Sequence, residues 1–305
     1  MTAEYFETSR KKPGGRGLGQ KSLALIDAMV KIVEAAQPIT GRGVGYKLFV
    51  QKFIASMKIM DMQRVYRLLK EARERDIIPW GWIVDESRQL EKTASWKDPD
   101  AYINTLINSY RREYWNQQPV RLEVWSEKGT VRGVLRPVLD EYGIGFRVVH
   151  GFASATIVHD VAEDDDGRNL IVLYVGDWDP SGLCMSEVDL PERLARYDGG
   201  HVILKRVALT QEQTRGLPSF PAADKRKDPR YGWFVRTYGQ ECWEVDALDP
   251  NELRDCVRKA IEAEIEPEAW ERCKVVEQAE QDSLRSVLKS WQRHIRRHSQ
   301  GWGLV

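Results

Sequence analysis

Residues 170–175, LIVLYV, form an uninterrupted apolar run that leads straight into GDWDPSG. A short run with no polar face reads as a buried strand, and a buried strand needs neighbours on both edges. The sequence around it supplies them. From Val120, "VRLEVWSEKG" reads as a strand, "TVRGVLRPVLDEYG" as a helix, "FRVVHGF" as a strand and "ASATIVHDVAEDD" as a helix. After the apolar run come a helix around "SEVDLPERLARYDG" and the strand "HVILKRVAL". Strands alternating with helices at this spacing indicate an α/β domain with a parallel sheet and helices on its faces. Ligands of such sheets bind beyond the carboxyl ends of the strands. Glu127 and the pair Asp177 and Asp179 fall at such ends.

Upstream the rhythm is helical. "SLALIDAMVKIVEAAQP" has apolar residues at helical spacing and stops at Pro38, and "ITGRGVGYKLFVQKF" reads as a glycine-interrupted turn feeding an amphipathic segment. "MDMQRVYRLLKEARERDIIP" is a helix with an apolar stripe of Val65, Leu68 and Leu69, and with Arg64, Arg67, Lys70, Arg73 and Arg75 on its other faces. "WGWIVDESR" follows as a short strand or wing. Helix, turn, basic helix and strand is the order of a winged helix-turn-helix, whose second helix can enter a DNA groove. The same pattern also suits a small helical domain with a solvated charged face. "WKDPDAYINTLINSYRREYWNQQP" then predicts a helix that packs this domain against the next.

These patterns divide the chain into a flexible basic arm over 1–20, a winged-helix domain over 21–115, the α/β domain over 120–265 and a C-terminal helix over 268–305. Near the end of the α/β domain Asp249 can N-cap a helix that has Pro250 at its first position. The final helix carries a basic tip, "WQRHIRRHSQ", suited to a helix C-terminus or to phosphate.

At 305 residues there is room for two ordinary domains. The formal net charge is zero, so contact with nucleic acid must rest on local basic patches. Cys184, Cys242, Cys256 and Cys273 are scattered without a CxxC pair, which suits reduced thiols in a cytoplasmic protein and neither zinc nor a disulfide framework. None of the five histidines, His150, His159, His201, His294 and His298, has ligand spacing with a carboxylate partner. No apolar run approaches the roughly 18 residues of a membrane span.

Asp177 and Asp179, two residues apart on a strand-end loop, repel one another unless a cation lies between them. A hard divalent ion such as Mg2+ takes oxygen ligands and answers that need. Glu127, at the end of a neighbouring strand, completes a set able to hold metal against phosphate oxygens. A capping aspartate beside a solvated one, opening the helix after Pro180, is the simpler alternative. "DWDPS" also fits the loop of haloacid-dehalogenase-type phosphatases, in which the first aspartate is the nucleophile. That motif usually follows the first strand of its sheet, and here two strands precede it.

A strand ending in glutamate followed by a strand ending in DxDPxG resembles the Toprim domain of topoisomerases, primases and some nucleases. With a predicted winged helix before it, the chain more closely resembles the DNA-cleaving A subunit of type IIB topoisomerases (topoisomerase VI). "VALTQEQTRGLPSFPAADKRKD" resembles the segment after the acidic motif in that family, and "WEVDALDPNELRDCV" resembles its E-x-(D/E)-A-L-x-P ending. The resemblance covers roughly residues 25–265, and in length the chain is similar to the stand-alone Mini-A proteins.

The resemblance implies a cleaving tyrosine in the winged helix, in a pattern like R-x-x-(Y/F)-Y. "RGVGY" places Arg42 and Tyr46 in that relation, with Gly45 where a second aromatic is usual; Tyr66 is a second candidate. It further implies a phenol that attacks phosphorus to leave a phosphotyrosyl link. Arg42 would lower the phenol pKa and clamp the phosphate, and Glu127, Asp177 and Asp179 would hold Mg2+. Arg64, Arg67, Lys70 and Arg73 would grip the backbone of double-stranded DNA. A homodimer is implied, since each subunit supplies one tyrosine. Strand passage would need a separate ATPase subunit, because "GRGVG" follows no strand and lacks the lysine and serine of a P-loop. Two other readings keep part of the picture: a hydrolytic Toprim nuclease without a covalent intermediate, and a non-catalytic DNA-binding partner protein.

Overall fold

The computed structural model describes residues 18–84, 94–149 and 155–299. The first 17 residues of the expected basic arm, the end of "WGWIVDESR", the end of "FRVVHGF" with His150, and residues 300–305 lie outside them. In chain order the elements are α1 (Gln20–Ala36), β1 (Ile39–Thr40), α2 (Gly41–Val50), α3 (Ile59–Glu74), β2 (Ile83–Val84), α4 (Pro99–Ser109), β3 (Arg121–Ser126), α5 (Gly129–Tyr142), β4 (Gly145–Val148), α6 (Ala155–Glu163) and β5 (Leu170–Val175). Then come α7 (Pro180–Cys184), a π-helical turn (Met185–Asp189), α8 (Leu190–Arg196), β6 (Val202–Ala208), β7 (Phe220–Pro221), α9 (Tyr231–Tyr238), β8 (Glu241–Cys242), α10 (Pro250–Glu262) and α11 (Pro267–Ser299). The described residues form two compact units, with boundaries after Glu86, Arg121 and Ala263.

The first unit contains α1 to β2 and β3 to α10. Its four-stranded sheet has the order β4-β3-β5-β6, and the pairs β3/β4 and β5/β6 are parallel, as the strand–helix alternation predicts. All six residues of β5 are buried. Leu170, Val172 and Tyr174 pack with Val158, Val161 and Ala162 of α6 and with Met185, Leu190 and Leu194 around the π turn. Ile171, Leu173 and Val175 alternate to the opposite face and are buried there too. α5 ends where Gly143 adopts φ 67° and its N–H bonds back to the Leu139 carbonyl, a left-handed stop that costs glycine little.

A second core joins α1, α2 and α3 through Ile26, Met29, Val33, Val44, Leu48, Val65, Leu68 and Leu69, with Ile39 and Ile83 beside them. The two-residue strands β1 and β2 pair in parallel. The segment predicted as a glycine-interrupted turn is helical from Gly41. Thr40 caps it by accepting a hydrogen bond from Gly43 N at 2.8 Å. The glycines serve close packing: a Cβ on Gly45 would stand 2.5 Å from Met62 Sδ of α3. That contact also explains why no aromatic side chain precedes Tyr46.

Arg254 of α10 ties these parts of the unit together. It is buried, and its guanidinium donates to the carbonyls of Ala36 (3.3 Å), Gln37 (3.2 Å), Pro38 (3.3 Å) and Val134 (3.1 Å). Two of these carbonyls close α1, where helix ends otherwise leave acceptors unpaired. α10 starts as predicted, with Asp249 accepting from Asn251 N at 2.8 Å and Pro250 at its first position.

The second unit is built on α4 and the 33-residue α11. The helix predicted over residues 96–119 ends at Ser109 and resumes only as a 3-10 turn, Tyr114–Gln117. Side-chain contacts explain the break. Tyr110 Oη donates to Glu280 at 2.7 Å, and the rings of Tyr114 and Trp115 meet Trp270 edge-on, 4.7 and 5.6 Å between centroids. Packing along α11 here outweighs local helix propensity. Among the described residues no helix is long and apolar enough to cross a membrane.

Replacing Arg254 by leucine removes the guanidinium from those four carbonyls and puts an apolar side chain in its place. The expected loss is about 2–4 kcal/mol, read as a lower midpoint in urea unfolding followed by circular dichroism. Arg258→Leu, which removes a pair with Glu141 at the surface, should cost under about 1 kcal/mol.

Candidate functional site

The acidic loop leaves the end of β5 and is held by backbone on two sides. Gly176 N donates to Ala208 O at 2.7 Å, and Leu209 N returns to Gly176 O at 2.8 Å, next to a register shift opposite Tyr174 and Val175. Such bulges commonly re-aim side chains near functional sites. On the other side Trp178 and Trp243 exchange backbone hydrogen bonds of 2.9 Å each, and Val245 N donates to Asp177 Oδ1 at 2.8 Å. The two distinctive sequence stretches, DWDPSG and WEVDAL, are therefore neighbours in one site, joined by the Trp178–Trp243 bridge.

The turn itself is tight. Asp179 caps α7 by accepting from Gly182 N at 2.8 Å, with Pro180 at the first helical position. A Cβ on Gly182 would lie 2.4 Å from the Asp177 carbonyl oxygen, so the chain can fold back only over glycine. Arg206 of β6 braces the loop from beneath. Its guanidinium donates to the carbonyls of Gly176 (3.1 Å), Leu209 (3.2 Å) and Gly182 (2.6 Å) and to Ser186 Oγ in the π turn (3.0 Å). It also lies 5.2 Å from the Tyr174 ring centroid.

Capping, the simpler alternative for these aspartates, does hold for Asp179. Neither residue is solvated: Asp177 is 5% exposed and Asp179 1%. Burial pushes the Asp177 carboxyl above its ordinary range, Asp179 adds to that, and Lys128 opposes both. Lys128 Nζ stands 2.9 Å from Asp177 Oδ1, 3.2 Å from Asp246 Oδ2 and 4.0 Å from Glu244 Oε2. Burial works against its charge, yet these carboxylates hold its proton more tightly than in an ordinary lysine. Lys225 is ion-paired with Asp179. Glu127 follows directly on β3, and burial, then Asp177 and Asp179, push its carboxyl up to about 7.

Helix α2 brings the predicted tyrosine to this cluster. Thr40 Oγ1 donates to Asp246 Oδ1 at 2.5 Å, Arg42 forms a two-pronged pair with Glu244 (Nη2 to Oε1, 2.5 Å), and Lys47 pairs with Asp249. Tyr46 is 4% exposed, with the Arg42 guanidinium 5.9 Å from its ring centroid. Burial raises the phenol pKa and Glu244 raises it further; Arg42 and Lys128 oppose this without prevailing. Arg42 thus acts in the expected direction, but burial of the phenol, with Glu244 adding to it, outweighs Arg42 and leaves the pKa raised.

The basic helix α3 shows Arg64, Arg67 and Lys70 to solvent, Lys70 lying 3.7 Å from Glu74. Arg73 is half-buried and stacks over Trp80 at 4.8 Å. Between α3, the start of α2 and the start of α5 lies a cleft of about 430 Å³, lined among others by Arg42, Tyr66, Arg73, Lys128 and Thr130. Lys128, Arg206, Lys225, Glu244 and Asp246 were not singled out in the sequence. Glu244 and Asp246 stood inside the quoted WEVDAL motif and Lys225 inside the quoted segment 207–228, but nothing in either stretch marked them as partners of the acidic loop.

The donor chemistry of Glu127, Asp177 and Asp179 is all carboxylate oxygen, which suits Mg2+, and the Glu127 carboxyl is raised first by burial and then by the neighbouring aspartates, both of which a cation at the site would offset. Near Glu127 the Tyr174 hydroxyl, fully buried, has no hydrogen-bond partner among the described residues. Among the described residues no group of three His, Cys, Asp or Glu is gathered as a bound ion would hold it; lysines neutralise the two aspartates instead. No protein-family model, curated protein or solved structure matches this chain.

Gly182→Ala should destabilise the fold by about 2 kcal/mol or more, whereas Gly200→Ala, where a Cβ meets nothing within 4 Å, should change thermal unfolding little. Glu127 gives a pH signature. Its proton is held more tightly folded than unfolded, so its contribution is full below the ordinary carboxylate pKa and is lost as pH rises through about 7. Metal-free protein should therefore lose stability from pH 4.5 to 7.5, by up to about 3 kcal/mol. Glu127→Gln should flatten that decline in denaturation curves taken across the window.

Proposed function

We propose that this chain is a Mg2+-dependent DNA-cleaving protein resembling the topoisomerase VI A subunit, with a winged-helix part over α1 to β2 and a Toprim-like part over β3 to α10. The observation that carries the reading is the meeting of three separately motivated features. The Glu127, Asp177 and Asp179 set, the WEVDAL segment and the Arg42–Tyr46 helix are joined through Lys128, Glu244 and Asp246. Sequence separation between these features exceeds 200 residues in the pair Arg42–Glu244, so local pattern does not account for their adjacency.

Glu127, Asp177 and Asp179 would hold the ion, which when bound neutralises charge on a phosphodiester. Arg42 and Lys128, both lining the cleft, would bind the phosphate oxygens. Tyr46 Oη would form the new bond to phosphorus as the bond to the departing deoxyribose oxygen breaks, the phenol proton leaving with that oxygen. Arg64, Arg67, Lys70 and Arg73 would hold duplex backbone. Cutting both strands requires two such tyrosines, hence a homodimer, and coupling to ATP would require a separate ATPase subunit.

Hydrolysis by water at the same acidic set is the second reading. It is favoured by the burial and raised pKa of the Tyr46 phenol, which make it a poor nucleophile until the α2 surroundings open.

Supercoiled plasmid incubated with the protein and Mg2+, then denatured, separates these readings. Linear or nicked DNA that enters a gel only after proteolysis, and is absent with Tyr46→Phe and Asp177→Asn, is the result expected for covalent cleavage. Products that persist in Tyr46→Phe but not in Asp177→Asn would assign hydrolysis. No product with either metal or protease would leave only a DNA-binding protein. In binding assays Arg64→Gln with Arg67→Gln should weaken duplex affinity regardless of sequence. It should also reduce the salt slope by about one to two.

A further inference from the structure

The acidic loop draws its positive charge from two lysines that lie outside it and leave by different routes. Lys128 touches Asp177 and Asp246 at once and stands 4.0 Å from Glu244. Lys225, in the 3-10 turn Ala222–Lys225, is paired with Asp179 and otherwise lies 5.6 Å from the Phe220 ring centroid. Its side chain is already one-third exposed. Glu127 makes no ion pair among the described residues, and the Tyr174 hydroxyl near it is buried and unpartnered. Two of three candidate metal ligands are thus occupied by ammonium groups, and the third is left strained by their carboxylates.

We propose that Lys128 and Lys225 are resident counter-ions that hold Asp177 and Asp179 in the metal-free protein and are exchanged for the divalent cation. This rests on the metal reading of the site given above. Asp179 has Oδ1 taken by Gly182 N and Oδ2 by Lys225, so a cation on this carboxylate takes the oxygen that Lys225 leaves. The charge it brings beside Asp177 repels Lys128 from Asp177 Oδ1. Lys128 can release Asp177 while keeping Asp246, so it stays charged and paired, and it stays in the cleft it lines with Arg42, Arg73 and Thr130. Lys225 has no second carboxylate in contact among the described residues and passes to solvent. The exchange keeps a buried pair of aspartates from facing water or each other unneutralised, which would be strongly destabilising. It also makes metal affinity depend on how tightly the lysines are held.

Lys225 supplies the test. Full-length wild-type protein is treated with an amine-acylating reagent, with MgCl2 or with NaCl of equal ionic strength, and labelled lysines are mapped by peptide mass. Labelling of Lys225 should rise several-fold with Mg2+, while Lys21, exposed on α1, should not change. Calorimetric Mg2+ titration of Lys225→Met should show affinity about fivefold or more above wild type, and Lys225→Arg should show none of that gain. Mg2+ binding lost in Asp177→Asn but equal in Lys225→Met and wild type, with Lys225 labelling unchanged, overturns the exchange and spares the metal site. Mg2+ binding absent, or insensitive to Asp177→Asn, overturns both. Wild-type labelling needs no variant to fold, and circular dichroism melts verify the variants.

Discussion

Burying Asp177 at the head of β5 is the constraint around which the rest of this site is arranged, because a carboxylate removed from water costs several kcal/mol unless it is paired and hydrogen-bonded. The Val245 N–H and the Lys128 ammonium meet the same oxygen, at 2.8 and 2.9 Å. Each partner brings its own surroundings. Val245 comes with the Trp178–Trp243 bridge, which aligns Glu244 and Asp246; Lys128 comes with Glu127 and with the first turn of α5. Charge compensation at one buried atom thus gathers residues from three separate stretches of chain.

The same economy of partners governs the join between α2 and the α/β part. Arg42, Thr40 and Lys47 lie within two turns of one short helix and meet Glu244, Asp246 and Asp249, spaced along one short segment that includes the 3-10 turn Val245–Ala247. Arg254 closes the other side by satisfying the carbonyls at the end of α1. Such half-buried pairs contribute specificity of docking more than raw stability. Packing supplies the rest, including the close approach of Gly45 to Met62 that sets the depth at which Tyr46 lies.

Much of the fold was legible because it rests on local periodicity. The apolar run 170–175, the strands and helices on either side of it, the cap at Asp249 and the stop at Pro38 each depend on a few consecutive side chains. The departures share a cause. "GRGVGY" has turn composition but is helical, because Thr40 caps it and its glycines admit neighbouring side chains from α3 and β1. Residues 110–119 lose their helix to contacts with Trp270 and Glu280, more than 150 positions away. Propensity yields where a distant partner offers more burial.

What the sequence by itself determined was the presence of a parallel α/β sheet and the placing of Glu127, Asp177 and Asp179 at its strand ends, since strand period and order decide both. Tertiary structure alone decided the company those carboxylates keep. Lys225, Glu244 and Asp246 reach the acidic loop, and Arg206 turns beneath it, through pairings that span from about 20 to over 100 residues. No local pattern encodes which cation will stand beside a buried aspartate. That choice follows from which ends of the chain the packed core brings together, where desolvation makes each unpaired charge too costly to leave alone.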